Sequence, residues 1–417
     1  MRYILFILLC CFALAGYSQP QKFTYNVKAS DVGLDAKRLE RLDSFINLNV
    51  KLGKVPNTTT FIARDGKVFH YKSFGWKNIE TKEKTDVKTI YRNASQTKAI
   101  TSVAAMILYE RGYFQLNDPV SKYLPEFKEM QVLDTVYAKD TTFKSHKAKK
   151  EITIKHLLAH TSGIMYDQPI AVKAKIPFFN SLDPITLKDV IPQIAKLPLV
   201  HEPGEKFTYG LNTDVLGFLI ERLSGKPLDV FFKEEIFQPL GMTDTYFYLP
   251  KEKHKRLVEL YQSDGKDPVL KVSGNDAYRH FSIKGASTYF SGGAGLVGTI
   301  EDYAKFCQML LNEGSFNNIQ LLSRKTIEIM TRNQIGDNYI WDNENKFGLG
   351  FELVTEKGAS SQLGTVGAFR WGGMYSTDYV IDPKEKLIIL FYTNVSPNAN
   401  WFLLSLNRNL LYQALKN

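Results

Sequence analysis

The spacing of apolar positions changes several times along the chain, and each change predicts an element. Residues 22–50 open as a linker and continue as an amphipathic helix, with Leu39, Leu42, Phe45 and Ile46 at helical intervals. Residues 59–64 and 67–71 are rich in strand formers, and Asp65-Gly66 between them is a strong hairpin signal. A long, largely apolar helix is predicted to start at Ser95 and to stop at Gly112. From 118 to 249 helical runs recur, including 153–159 and 214–223, between loops rich in Lys and Pro. Strand-like runs return after Ser273, with glycine pairs at Gly292-Gly293 and Gly372-Gly373. Residues 378–382 and 387–393 read as core strands joined by a Pro383-Lys384-Glu385 turn, and a closing helix is expected over 399–415. This order predicts an α/β region of α+β type built from both ends of the chain, 19–117 and 273–417. A mostly helical region, 118–272, is inserted between them. There are no internal repeats and no long low-complexity segment.

Composition changes the picture at the start of the chain. Met1-Arg2 give a positive start, residues 3–15 an apolar run, and Gly16-Tyr17-Ser18 a small-x-small cleavage pattern. Residues 1–18 therefore read as a secretory signal peptide, too short for a membrane span, which predicts a secreted or periplasmic chain. A lipid-anchored cysteine is the rival reading, but Leu9 and Cys10 are not the small residues such a site wants before its cysteine. Beyond the leader only Cys307 remains, so no intrachain disulfide is expected and stability must come from burial. The formal charge of +10 reads as a basic surface rather than as nucleic-acid binding, since no nucleic-acid motif accompanies it. The densest basic run, 144–150, has no interleaved aromatics and is expected as a solvated loop. Asn57-Thr58-Thr59 matches a glycosylation acceptor, but so short a motif recurs by chance.

Candidate chemistry centres on Ser95-Gln96-Thr97-Lys98. Residues three apart on a helix share a face, so Lys98 reaches the hydroxyl of Ser95. A desolvated lysine loses proton affinity and becomes a base at neutral pH, and the helix start favours developing negative charge. Alone, the pair reads equally as a capping serine and a solvated lysine. A second copy, Ser263-Asp264-Gly265-Lys266, holds an Asp-Gly turn signal and is set aside. Tyr209, in a loop that ends at a helix start, is a candidate proton carrier, though one structural tyrosine among 22 would be unremarked. In Trp371-Gly372-Gly373-Met374 two glycines let a substrate carbonyl approach the backbone, where amides could help form an oxyanion hole; a tight bend is the plainer reading.

The order Ser95-x-x-Lys98, Tyr209, Trp371-Gly372-Gly373 resembles the serine β-lactamase and penicillin-binding-protein superfamily, in its class C β-lactamase-related, esterase-like branch. Supporting segments run through the chain: 116–125, 154–163, 236–242 and 293–296. The resemblance implies an antiparallel sheet flanked by helices, with the site between it and a helical domain. It implies Ser95 as the acylated nucleophile, Lys98 as its proton acceptor and Tyr209 as relay to the leaving group. The N–H groups of Ser95 and Met374 would form the oxyanion hole. No metal or organic cofactor is implied, and the partner is a small-molecule or peptide ester or amide.

Two departures from the β-lactamase pattern bear on substrate. The second motif there is Tyr-x-Asn, whereas Leu211 stands here and Asn212 comes one residue late. The third motif opens there with a cationic or imidazole side chain, and here with Trp371. A positive residue at that place binds a substrate carboxylate, and Trp offers one N–H and an apolar face instead. Arg370 is adjacent, but strand neighbours point to opposite faces, so it is not expected to substitute. A neutral ester or amide is the expected substrate, with a β-lactam, a D-alanyl peptide, and non-catalytic cell-wall binding as alternatives. A Ser-His-Asp hydrolase lacks its Gly-x-Ser-x-Gly here. His156-Leu157-Leu158-Ala159-His160 has zinc-like spacing, but Leu157 replaces the needed glutamate, and both histidines read as packing and hydrogen-bonding residues.

Overall fold

The computed structural model describes residues 19–137, 142–166, 170, 175–177, 179–263, 270–341 and 344–416. The expected leader at 1–18, with Cys10 and Cys11, lies outside the described residues, as do Asp264, Gly265 and Lys266 of the second Ser-x-x-Lys copy.

A single antiparallel sheet joins the two ends of the chain. Its strands are β1 (Asn57–Arg64), β2 (Lys67–Asn78), β3 (Glu83–Lys84), β4 (Lys346–Phe347), β5 (Glu352–Leu353), β6 (Phe369–Gly373), β7 (Thr377–Asp382) and β8 (Leu387–Tyr392). The spatial order is β4-β5-β6-β7-β8-β1-β2-β3, so the early hairpin docks beside the last strand, Ile62 facing Ile389. Strand side chains alternate between faces. Ile62, Val380, Ile389 and Phe391 join one core; Phe61, Ala63, Ile388 and Leu390 join the other. With both faces covered, β8 reads as an unbroken apolar run rather than an alternating one.

Helices supply the cover. They include α1 (Ala36–Lys51), α2 (Thr97–Glu110), α3 (Asn212–Ser224), α4 (Ile300–Leu311) and α5 (Leu403–Tyr412). On one face, Leu39, Leu42 and Ile46 of α1 meet Leu404 and Leu411 of α5. Burying a leucine such as Leu42 contributes roughly 1.5–3 kcal/mol. Asp35 starts α1 by accepting from the Arg38 N–H at 3.0 Å. On the other face lie α4 and α2. Every residue of α2 from Thr97 to Leu108 is buried, as expected of a helix packed on all sides. Glycine and turn chemistry set the hairpin: Asp65 and Gly66 both take positive φ, +50° and +71°, the geometry a two-residue strand connection requires.

Four expectations change. β2 continues seven residues past Tyr71, because Gly75, at φ +85°, lets it pass within reach of the Pro56 carbonyl. The closing helix is shorter, Leu403–Tyr412; Asn398 caps the Asn400 N–H and the Asn400 amide donates to the Lys54 carbonyl, so these residues turn the chain instead of continuing the helix. The region 118–272 holds α3 and the helices Ile154–Leu158 and Leu187–Ile194, but also a hairpin, Gln131–Val136 with Phe143–Lys147. The basic run is therefore half strand rather than loop. Two of its side chains have acidic partners there: His146 bonds Asp134 (2.7 Å) and Glu202 (3.1 Å), and Lys147 pairs with Glu129. Among the described residues no helix is long and apolar enough to cross a membrane. Cys307 is buried and unpaired.

Candidate active site

The chain enters the site through a short strand, Tyr91–Arg92. Arg92 is fully buried and anchors it by donating to the Val258 carbonyl at 2.8 Å. Ala94 then takes φ +46°, a left-handed conformation that costs an L residue about 1–2 kcal/mol, so the chain is strained just before Ser95. A single 3-10 turn, Ala94–Gln96, follows, and α2 begins at Thr97, two residues later than the expected start at Ser95. The turn lifts Ser95 clear of the ladder of α2. It is half-buried, whereas every other residue from 91 to 100 is buried.

Lys98, one turn on, is 2% exposed. Its ammonium donates to the Gly293 carbonyl (2.7 Å), the Tyr166 hydroxyl (2.9 Å) and, more loosely, the Ser95 Oγ (3.4 Å). It also sits 4.7 Å from the centre of the Tyr209 ring. The expected loss of proton affinity is not what this environment gives. Burial lowers it, but Tyr166 and Tyr209 outweigh burial and hold Lys98 above the ordinary lysine value. Tyr166 is likewise pushed up, chiefly by burial.

Tyr209 lies in the loop before α3, and its hydroxyl accepts from the Trp371 indole N–H at 3.3 Å. Its ring packs on His160, Trp371 and Trp341 at 4.9, 5.4 and 5.8 Å. Asn212, displaced by one residue from the β-lactamase pattern, is fully buried. It bonds Ser162, the His160 Nδ1 (3.0 Å) and the Ile164 carbonyl (3.3 Å), so it holds the loop rather than the cleft. His156 accepts from the Thr153 N–H in a helix cap. Both histidines serve in packing and hydrogen bonding.

Two residues of this network escaped sequence reading. Tyr166 had no motif around it. Asp214 is buried and accepts from the Ser291 hydroxyl at 2.5 Å and the Gly293 N–H at 3.4 Å, so it fixes the very turn whose carbonyl holds Lys98. A Cβ on Gly293 would stand 2.3 Å from the Asp214 carboxylate, which is why glycine is required there. Burial raises the Asp214 carboxyl above its ordinary range, and the nearby Lys98 charge opposes that rise.

Trp371-Gly372-Gly373 is itself part of β6, and β5 pairs only with Phe369 and Arg370. A cleft of about 360 Å³ runs along the remainder of this strand. On one side are Ser95, Tyr209, Trp341 and Trp371; on the other are Arg370, Glu352, Asp378, Trp401 and Arg408; Gly372, Gly373 and Met374 lie along it as well. Gly373 is forced by proximity: a Cβ would come within 2.2 Å of the Asn93 carbonyl, just before the Ser95 turn. The structure thus brings Ser95, Lys98, Tyr209 and residues 371–374 together. Arg370 does point away from Trp371, yet it lines the same cleft, because the cleft wraps round the strand. Its guanidinium is bound to Glu352 at 2.9 Å, and Arg408 to Asp378 at 2.5 Å, so each cation here has its own carboxylate.

Residues 43–411 match the model of the Beta-lactamase family. The chain belongs to that family. Among its relatives, esterase EstB of Burkholderia gladioli is 27% identical over 384 residues, covering 87% of this chain and 92% of EstB. A putative D-alanyl-D-alanine carboxypeptidase of Escherichia coli K12 is 27% identical over 402 residues, covering 90% and 85%. The solved structure of EstCE1, a hydrolase with promiscuous acyltransferase activity, superposes with a TM-score of 0.76 at 24% identity, covering 90% of this chain and 99% of that one. The fold is that of the β-lactamases and transpeptidases, and the family is one of serine hydrolases with esterase and peptidase members.

Proposed function

We propose that this chain is a serine hydrolase that cleaves an uncharged ester or amide through an acyl-enzyme on Ser95. The observation that carries the reading is a half-buried Ser95 beside Tyr209 on one cleft along β6, with the buried Lys98 bonded to Ser95 from behind it. Ser95 Oγ bonds to the acyl carbon as its proton passes to the Lys98–Tyr209 group. The N–H groups of Ser95 and Met374 are read as the donors to the oxyanion. The bond to the leaving alcohol or amine breaks as Tyr209 hands it a proton, and water then takes the acyl group from Ser95 by the reverse path. Because Lys98 holds its proton more firmly than an ordinary lysine, the group is armed on the alkaline side: kcat/KM is expected to rise from neutral pH upward.

The pairing of Arg370 with Glu352 and of Arg408 with Asp378 supports an uncharged substrate, since a carboxylate would find both guanidinia already bound. Initial rates on p-nitrophenyl butyrate and a chromogenic cephalosporin, with the chain and its Ser95→Ala variant, test this. Ester turnover that vanishes in the variant is the expected result. Dominant cephalosporin turnover makes it a β-lactamase. No Ser95-dependent rate on either moves the reading to a D-alanyl peptidase, which the carboxypeptidase relative favours, or to a cell-wall binder. Residues 1–18 are read as an export leader, which N-terminal sequencing of the exported chain tests.

A further inference from the structure

Trp341 is not explained by that chemistry. Its indole stacks on Trp371, 5.6 Å between centroids and 24° from parallel, and meets Tyr209 and Phe207 edge-on at 5.8 and 5.9 Å. Yet 59% of the residue is exposed, and it lines the cleft. Its φ of +46° is an outlier for a bulky side chain. These contacts cover only part of the indole, and the left-handed backbone and the exposed remainder work against the stability they bring. Such outliers gather where function requires a side chain in one place. The missing gain arrives when an apolar group covers the open indole surface.

We propose that Trp341 is the wall of a subsite for a flat, unsaturated ring carried by the leaving alcohol of the substrate. The inference rests on the hydrolase reading, and it names the substrate more closely: an uncharged ester of an aryl or arylalkyl alcohol. The placement follows from Tyr209. The residue read as protonating the leaving oxygen is in ring contact with Trp341, so a group carried by that oxygen lies beside the indole. The opposite side of β6 is lined by Arg370–Glu352 and Arg408–Asp378 and suits hydrogen-bonding parts of the acyl group. A flat ring meets an indole in the offset or edge-on arrangements that aromatic pairs prefer, and a saturated ring of the same size loses that fit.

The test compares phenethyl acetate with cyclohexylethyl acetate, which share reach and differ in the flatness of the ring. The unsubstituted chain is expected to show a KM about fivefold lower for the phenethyl ester, the size of one aromatic contact. In Trp341→Ala the two KM values converge, and in Trp341→Phe part of the preference returns. Equal KM values in the unsubstituted chain, or an unchanged ratio in Trp341→Ala, overturn the proposal. Binding of the same esters is read separately in Ser95→Ala by quenching of tryptophan fluorescence, with Ser95→Ala/Trp341→Ala as the control. A Trp341-dependent preference there without any hydrolysis by the unsubstituted chain keeps the wall and rejects the hydrolase reading. Hydrolysis without preference does the reverse.

Discussion

The two sides of β6 solve the same problem in opposite ways. On the Trp371 side the cleft is walled by aromatic rings, and its one buried cation, Lys98, is surrounded by phenols and a backbone carbonyl. On the Arg370 side it is lined by four charges that cancel in pairs. Among the described residues no carboxylate is bonded to Lys98; Asp214 stands one step away, bonded to the turn that supplies the Gly293 carbonyl. The cation that the proposed reaction uses for proton exchange is held by uncharged partners. Charges that need only stay put receive strong ones. The difference teaches that burial alone does not set reactivity here; what surrounds the buried group does.

The first way to break the comparison is Ser95→Ala. Loss of the proposed nucleophile is expected to lower kcat on a simple ester by at least about a thousandfold, with the thermal transition nearly unchanged. A surviving rate would mean that the aromatic side is not the reacting side. Next comes Arg408→Met, which leaves the Asp378 carboxylate buried without its partner. Removing one member of a buried pair costs about 3 kcal/mol, and Arg408→Met with Asp378→Asn should recover most of it. Denaturant titration of the two variants checks this; equal losses in both would show that the pair does not act as a unit.

Gly373→Ala acts at the boundary between the two sides. The added Cβ meets the Asn93 carbonyl, so β6 must move away from the Ser95 turn. A shift on the order of 1 Å costs about a hundredfold in kcat, with a smaller loss of stability. The Gly372 position should tolerate alanine better, since its nearest neighbour would stand 3.0 Å away, and the ratio of the two effects sharpens the comparison. The smallest effect is expected from Tyr166→Phe. Its hydroxyl is one of the groups that raise the proton affinity of Lys98. Without it, Lys98 gives up its proton more readily, so the acidic limb of the kcat/KM profile moves to lower pH. An unmoved limb would assign that limb to another group.

Legibility followed sequence distance. Ser95 and Lys98 stand three residues apart, and Trp371-Gly372-Gly373-Met374 are contiguous, so local pattern alone marked them. The elements of the sheet were legible for a similar reason: Asp65-Gly66 and the apolar run Leu387–Tyr392 each carry their own signal. Tyr166 meets Lys98 across 68 residues, and Ser291 meets Asp214 across 77, with no pattern linking them. The environment of Lys98 was misread for the same reason. Its burial was foreseeable from the apolar helix, but the two phenols that reverse the effect of burial arrive from other segments.

By itself, the sequence determined which residue types stand at fixed short spacings, most of the sheet's strands and the main helices, and hence the family. It did so because helix and strand periods, turn glycines and caps act over a few residues. Only the tertiary structure decided what surrounds each candidate: the phenols around Lys98, the carboxylates matched to Arg370 and Arg408, and the open indole of Trp341. Electrostatics and solvent exposure depend on distances through space, and those are set once the two ends of the chain have joined in one sheet.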